Sequence, residues 1–203
     1  MTQRQFRIVV TGGPGAGKTT ALDLFQREFQ SSVKIVPEAA TVLFQSGIVR
    51  EQTRDRMKEL QHSIFKLQVN LEDIFHSLYP ERLLICDRGT LDGLAYWPNG
   101  ERDFLDTCGT SIEIELARYD AVIFFQSGAA AGDDLKSNNP YRSEDAASAL
   151  LLDEKLRHVW QRHPNFHYIP SSQSFMSKIS LGLLTIQNTL EEIRSSGPIR
   201  PRS

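Results

Sequence analysis

The chain has only two cysteines, Cys86 and Cys108, in 203 residues. Their spacing offers no zinc ligand pair and no disulfide framework, so neither staple underlies the fold. Cys86 lies inside an apolar run and reads as a small buried hydrophobe. The five histidines are scattered and suggest no metal site. No sign of charge dominates: 23 Lys and Arg stand against 25 Asp and Glu, for a net −2. A nucleic-acid binder usually carries a basic face or stripe, so nucleic acid is not an expected partner. No apolar run approaches the ~20 residues of a membrane span. Met1 to Gln5 leads straight into an apolar segment without a signal-peptide pattern, and the expected location is the cytoplasm.

What is present is the balance of a globular chain, 40% hydrophobic and 24% charged. Short apolar segments read as strands: Phe6–Thr11, Val33–Val36, Leu83–Cys86, Ala121–Phe125 and Phe166–Ile169. Helical patterns lie between them. Leu22, Phe25 and Phe29 recur at helical spacing after the first strand. From Thr53 to Leu78 the residues Met57, Leu60, Ile64, Leu67, Leu71, Ile74 and Leu78 step by three and four, which predicts one apolar stripe. A further helix is expected over Arg102–Ala117, one from near Ser143, and a last one over Phe175–Ile193. Strands that are apolar throughout and alternate with helices mean a parallel sheet covered on both faces, an α/β three-layer architecture. Residues 1–194 are expected to form a single domain, and 195–203 a disordered tail.

Between the first strand and its helix stands Gly12-Gly13-Pro14-Gly15-Ala16-Gly17-Lys18-Thr19, a full match to the phosphate-loop pattern. A chance match somewhere in such a chain is on the order of one in a hundred. Its position after a strand and before a helix lowers that further, because the mechanism needs both. Glycines bring the main chain close to phosphates, and successive N–H groups form an anion nest to which the helix adds its dipole. Lys18 is expected to reach the β- and γ-phosphates, Thr19 to ligate Mg²⁺, and Thr20 to complete the loop. ATP with magnesium is the expected ligand.

Ligands of open parallel sheets bind beyond the carboxyl ends of the strands. Glu38 closes the second strand, and Asp87-Arg88 the third. Asp87 is a candidate to hold the metal, directly or through water. Arg88 is a candidate to neutralise the transferred phosphoryl group. Glu38 is a candidate to take a substrate hydroxyl proton or to bind a polar group of the substrate.

The segments VTGGPGAGKTT, VPEAA, CDRGTLDGLAYWP and NPYRSE together resemble the nicotinamide-riboside-kinase-like, AAA-domain branch of the phosphate-loop kinases, and more distantly the deoxynucleoside and thymidylate kinases. The likeness runs from Arg7 to about Ile193. It implies a five-stranded sheet of order 2-3-1-4-5, Mg-ATP use, and a lid after the fourth strand over about 127–143. On that likeness Arg142 is the lid arginine that contacts phosphate, with Lys136 beside it. The insertion that holds the long helix would wall the acceptor site; Gln61 and Gln68 lie to one side of its stripe, where a solvated face is expected ahead of a substrate-facing one, and Asp92 is a lesser acceptor-site candidate. No arginine follows Glu38 before Arg50, and Gly89 stands where deoxynucleoside kinases commonly carry serine. These departures leave the acceptor open.

Two functions follow. One is a kinase that phosphorylates a small nucleoside-like or vitamin-like metabolite. The other is a nucleotide-binding regulator or slow NTPase whose lid signals to a protein partner. No base-reading N-K-x-D pattern follows the fourth strand, which disfavours a guanine-specific switch, and nothing resembles the signature loop of an ABC-type ATPase.

Overall fold

A computed structural model describes residues 5–29, 32–49, 53–128, 146–171 and 174–196. Five strands form one parallel sheet: β1 (Arg7–Thr11), β2 (Val33–Val36), β3 (Leu83–Asp87), β4 (Ala121–Phe125) and β5 (Phe166–Ile169). Their order is β2-β3-β1-β4-β5, as the family resemblance implied. β1 lies at the centre, with Val10 opposite both Asp87 of β3 and Ile123 of β4. This register sets the end of β3 beside the loop that leaves β1.

Successive residues of β1 feed two cores, because side chains alternate across a strand. Ile8 and Val10 pack with Ala21, Leu22 and Phe25 of α1 (Lys18–Phe29) and with Ile179 and Ile186 of α7 (Phe175–Ser196). Val9 faces the opposite way, onto Leu84, Cys86, Phe65, Trp97, Phe104 and Trp160. Each fully buried aromatic or aliphatic side chain contributes about 1.5–3 kcal/mol of transfer free energy. The sheet is therefore held between two apolar layers, as its uninterrupted apolar strands predict.

Two helical expectations change. The stripe expected on α3 (Arg54–Leu78) is displaced by one residue: the buried face is Leu60, Gln61, Phe65, Gln68 and Glu72. Met57, Ile64, Leu67 and Leu71 are only half-buried, and Ile74 and Leu78 are 52% and 63% exposed. Gln68 and Glu72 occupy the inward face because each finds a partner there, which hydrophobic periodicity does not register. The helix expected over Arg102–Ala117 is two helices, α4 (Gly100–Cys108) and α5 (Ile112–Leu116). Gly109 takes a left-handed φ of 68° and ends the first, and the Ser111 hydroxyl accepts from the Ile114 amide to start the second.

Three further elements complete the crevice. α2 (Ala39–Gln45) follows β2 directly, a 3-10 helix (Thr90–Tyr96) follows β3, and α6 (Ala146–Trp160) precedes β5. Neither α2 nor the 3-10 helix has enough periodicity to show in sequence. α7 continues to Ser196, beyond the expected end at Ile193. Residues 129–145, which take in most of the expected lid with Lys136 and Arg142, lie outside the described residues, as do 197–203 of the expected tail. Among the described residues no helix is long and apolar enough to cross a membrane.

Candidate functional site

The loop between β1 and α1 has the backbone its glycines predict. Gly12, Gly15 and Gly17 have φ values of 135°, 65° and 86°. At Gly12 the requirement is absolute, since a Cβ there would lie 1.9 Å from the Phe125 carbonyl oxygen. The loop thus presses against the end of β4. Lys18 is 4% exposed, and its ammonium donates to the carbonyls of Gly12 and Gly13, both at 2.8 Å. A cation is therefore already stored inside the loop. Thr19 and Thr20 stand exposed on the first turn of α1.

Sequence reasoning missed what supports the loop from below. Asp153 of α6 accepts the Gly13 amide at 2.9 Å and the Ser127 amide at 2.8 Å through one oxygen. The Ser127 hydroxyl donates to the Pro14 carbonyl at 2.7 Å. Lys178 of α7 donates to the Gln126 carbonyl beside it. Burial raises the pKa of Asp153, and the two amides with Lys18 and Lys178 counter that only in part. Asp153 shows no local signal, because it meets its partners only through the tertiary fold. Ser127 was placed at the start of the lid, yet it is wholly buried under the loop.

Glu38 and Arg88 meet at the crevice. Arg88 is 6% exposed; its Nε donates to Glu38 Oε1 at 2.5 Å and its Nη1 to Asp92 Oδ1 at 2.9 Å. The same Nη1 reaches the Gly12 carbonyl at 3.3 Å, so the guanidinium sits at the phosphate loop. The other Glu38 oxygen accepts from the Thr41 hydroxyl at 2.6 Å. Burial alone would lower the Arg88 pKa, but Glu38, Tyr96, Asp92 and Asp87 outweigh it and hold the group protonated well above the ordinary arginine value. Asp87 ends β3, half-buried, level with Val10 in the neighbouring strand.

Asp92, the lesser acceptor-site candidate, is buried and both its oxygens are engaged within the protein. Thr11 Oγ1 and Arg88 occupy one of its oxygens, and the Gly89 amide and Trp160 Nε1 the other. Gln61 and Gln68 were expected on a solvated face, and both are buried. Gln68 is occupied inside the protein, by Glu72 and the Arg88 carbonyl. The reason is the same for Asp92 and Gln68: each satisfies a buried polar group that would otherwise cost about 1–3 kcal/mol.

The arrangement suits a polyphosphate bound with Mg²⁺. A glycine nest too tight for a Cβ, a buried lysine and a second buried cation at its rim define an anion site. Among the described residues no three His, Cys, Asp or Glu side chains cluster as a metal cage. Mg²⁺ in phosphate sites takes one or two protein ligands and completes its shell with phosphate oxygens and water, a donor set that Thr19 and Asp87 match.

Fold and loop together define a P-loop nucleotide-binding protein of the α/β three-layer NTPase type. The chain belongs to the AAA domain family, whose sequence profile matches residues 7–177. That family implies nucleotide binding, usually with Mg²⁺. No curated protein matches the chain.

Proposed function

We propose that the protein is a Mg-ATP-dependent kinase that transfers the γ-phosphoryl group to a hydroxyl or phosphate of a small nucleoside-like or vitamin-like metabolite. The observation that carries this reading is the Glu38–Arg88–Asp92 cluster at the mouth of the loop, with Arg88 Nη1 3.3 Å from the Gly12 carbonyl. An arginine held there by two carboxylates is a preorganised cation where negative charge spreads in phosphoryl transfer.

In this reading the loop amides and Lys18 bind the β- and γ-phosphates, and Lys18 moves from the Gly12 and Gly13 carbonyls onto phosphate. Thr19 and Asp87 would hold Mg²⁺, which would supply charge neutralisation of the phosphates. Arg88 stabilises charge on the transferred group, and Arg142 closes over it from the lid. Glu38 aims Arg88 and is the carboxylate this reading assigns to the acceptor hydroxyl. Phosphoryl transfer depends chiefly on positioning and charge, so a weak base at Glu38 suffices. The sequence likeness to nicotinamide-riboside-like kinases supports a metabolite acceptor of that general kind.

A second reading, a nucleotide-binding regulator or slow NTPase acting on a protein partner, is favoured by one observation. Glu38 engages Arg88 through one oxygen and Thr41 through the other, and so is already committed within the protein. Purified protein incubated with Mg-ATP and a panel of nucleosides and vitamins decides between them. A phosphorylated product supports the kinase. Bound ATP with slow hydrolysis, no product, and a partner retained only with nucleotide selects the second reading.

A further inference from the structure

Among the described residues Arg88 alone combines a side chain with a positive φ, 70°. A left-handed backbone is unfavourable for an arginine and persists only where its surroundings enforce it. The enforcement comes from both sides of the residue. Its amide donates to the Val10 carbonyl at 3.0 Å, continuing the β1–β3 ladder. Its carbonyl accepts from Nε2 of Gln68, on α3, over a longer 3.3 Å. The same Nε2 donates to Glu72 Oε1 at 3.0 Å.

Glu72 has no exposure at all and gathers the remaining donors. Tyr119 donates to its Oε1 at 2.7 Å, while Arg7 at 3.0 Å and Arg118 at 2.8 Å bind its Oε2. The Tyr119 oxygen in turn accepts the Thr90 amide at 2.9 Å. One buried carboxylate is thus linked to the Arg88 carbonyl through Gln68 and to the Thr90 amide through Tyr119. Two arginines neutralise it, so it is not a site waiting for a cation. Its connections run towards the phosphate loop through the three residues Arg88, Gly89 and Thr90.

We propose that Gln68 and Glu72 are positioning residues that fix the left-handed backbone at Arg88 and so aim its guanidinium across the phosphate loop. The proposal rests on the reading of Arg88 as the group that neutralises the transferred phosphoryl. Gln68 and Glu72 touch neither nucleotide nor acceptor; they act through Arg88.

The experiment compares Gln68→Met, which keeps length and loses the donor, in the wild-type chain and in an Arg88→Lys background. Turnover of Mg-ATP is followed as ADP formation, with kcat and KM separated. In the wild-type background kcat falls about five- to tenfold, the order expected for one lost hydrogen bond, while KM for Mg-ATP stays within about twofold. In the Arg88→Lys background Gln68→Met has no further effect on kcat. An equal loss in both backgrounds means a general structural role and overturns the proposal, as does wild-type kcat for Gln68→Met. Hydrogen–deuterium exchange makes a failure of positioning distinguishable from a failure of the Arg88 reading. Faster exchange at Gly89 and Thr90 in Gln68→Met, with α7 unchanged, supports positioning even where Arg88→Lys turns over normally and the Arg88 reading falls; unchanged exchange overturns it. Gln68→Asn, which stays polar but draws the amide one methylene back from the Arg88 carbonyl, carries the same measurements if Gln68→Met fails to fold.

Discussion

Asp153 accepts the backbone amide of Gly13 at 2.9 Å across 140 positions of sequence, and with the same oxygen it accepts the amide of Ser127. The phosphate loop is therefore anchored to α6 and to the end of β4 by one carboxylate. Asp153→Ala strands two buried amides and is expected to cost about 2 kcal/mol and to weaken nucleotide binding. Asp153→Asn keeps an acceptor oxygen for both amides and is expected to hold the melting temperature near wild type. Equal melting temperatures for Ala and wild type would remove the anchor.

The raised pKa of Asp153 gives a pH dependence with a definite sign. A carboxyl that holds its proton more tightly in the folded than in the unfolded chain stabilises the fold fully below its unfolded pKa. That contribution is lost as the pH rises through the raised folded value. Asp153→Asn has no proton to lose. Its stability relative to wild type should therefore climb as pH increases between the ordinary aspartate value and the raised one. Denaturant melts of both proteins across that acid range check it, and a constant difference between the two would refute the shift.

Lys18 is stored on two loop carbonyls, and nothing in the apolar cores depends on it. Lys18→Ala should lower turnover about a hundred- to a thousandfold, the usual loss on removal of one preorganised charge partner. The melting temperature should move by only a few degrees, because two loop hydrogen bonds are lost while both apolar cores stay intact. A collapse of folding in this variant would show a structural duty for Lys18.

What sequence revealed and what it concealed divide along a physical line. The strands and the loop were legible because each is a local pattern: Ile8 to Val10 is apolar without interruption, and Gly12 to Thr19 is contiguous. The break between α4 and α5 turns on Gly109, whose left-handed conformation interrupts an otherwise continuous apolar stripe. The inward face of α3 was misread because Gln68 and Glu72 are buried by pairing, not by hydrophobicity. Asp153, Ser127 and Tyr119 were invisible for a different reason: their partners are remote in sequence and meet them only once the sheet has formed. That Glu38 and Arg88 lie beside the phosphate loop was legible because each closes a strand of the sheet that carries it.

Glu38 and Arg88 can be separated by charge. Glu38→Gln keeps an oxygen for Arg88 and a group for Thr41, but removes the charge that opposes burial of the guanidinium. Turnover is expected to fall about tenfold or more, with KM for Mg-ATP little changed, since the loss falls on orientation at the reacting group. Arg88→Lys should be worse than Glu38→Gln, because a lysine ammonium cannot span Glu38, Asp92 and the Gly12 carbonyl in one plane. The reverse order of activities would argue that Glu38 acts directly on the acceptor.

Asp87 supplies the last and most direct test of the metal assignment. It stands level with Val10, one strand from the loop, and its side chain is half-buried. Mg²⁺ held by Thr19, Asp87 and phosphate oxygens would lose a full negative charge from its shell in Asp87→Asn, while the fold keeps a side chain of the same size. The magnesium concentration for half-maximal turnover should therefore rise about tenfold or more, with less effect at saturating metal. Arg142→Ala, which alters a proposed phosphate contact and not a metal ligand, should lower turnover without shifting that titration. If Asp87→Asn leaves the magnesium curve in place, the carboxylate has no part in holding the ion. Thr19 would then be the only proposed protein ligand remaining.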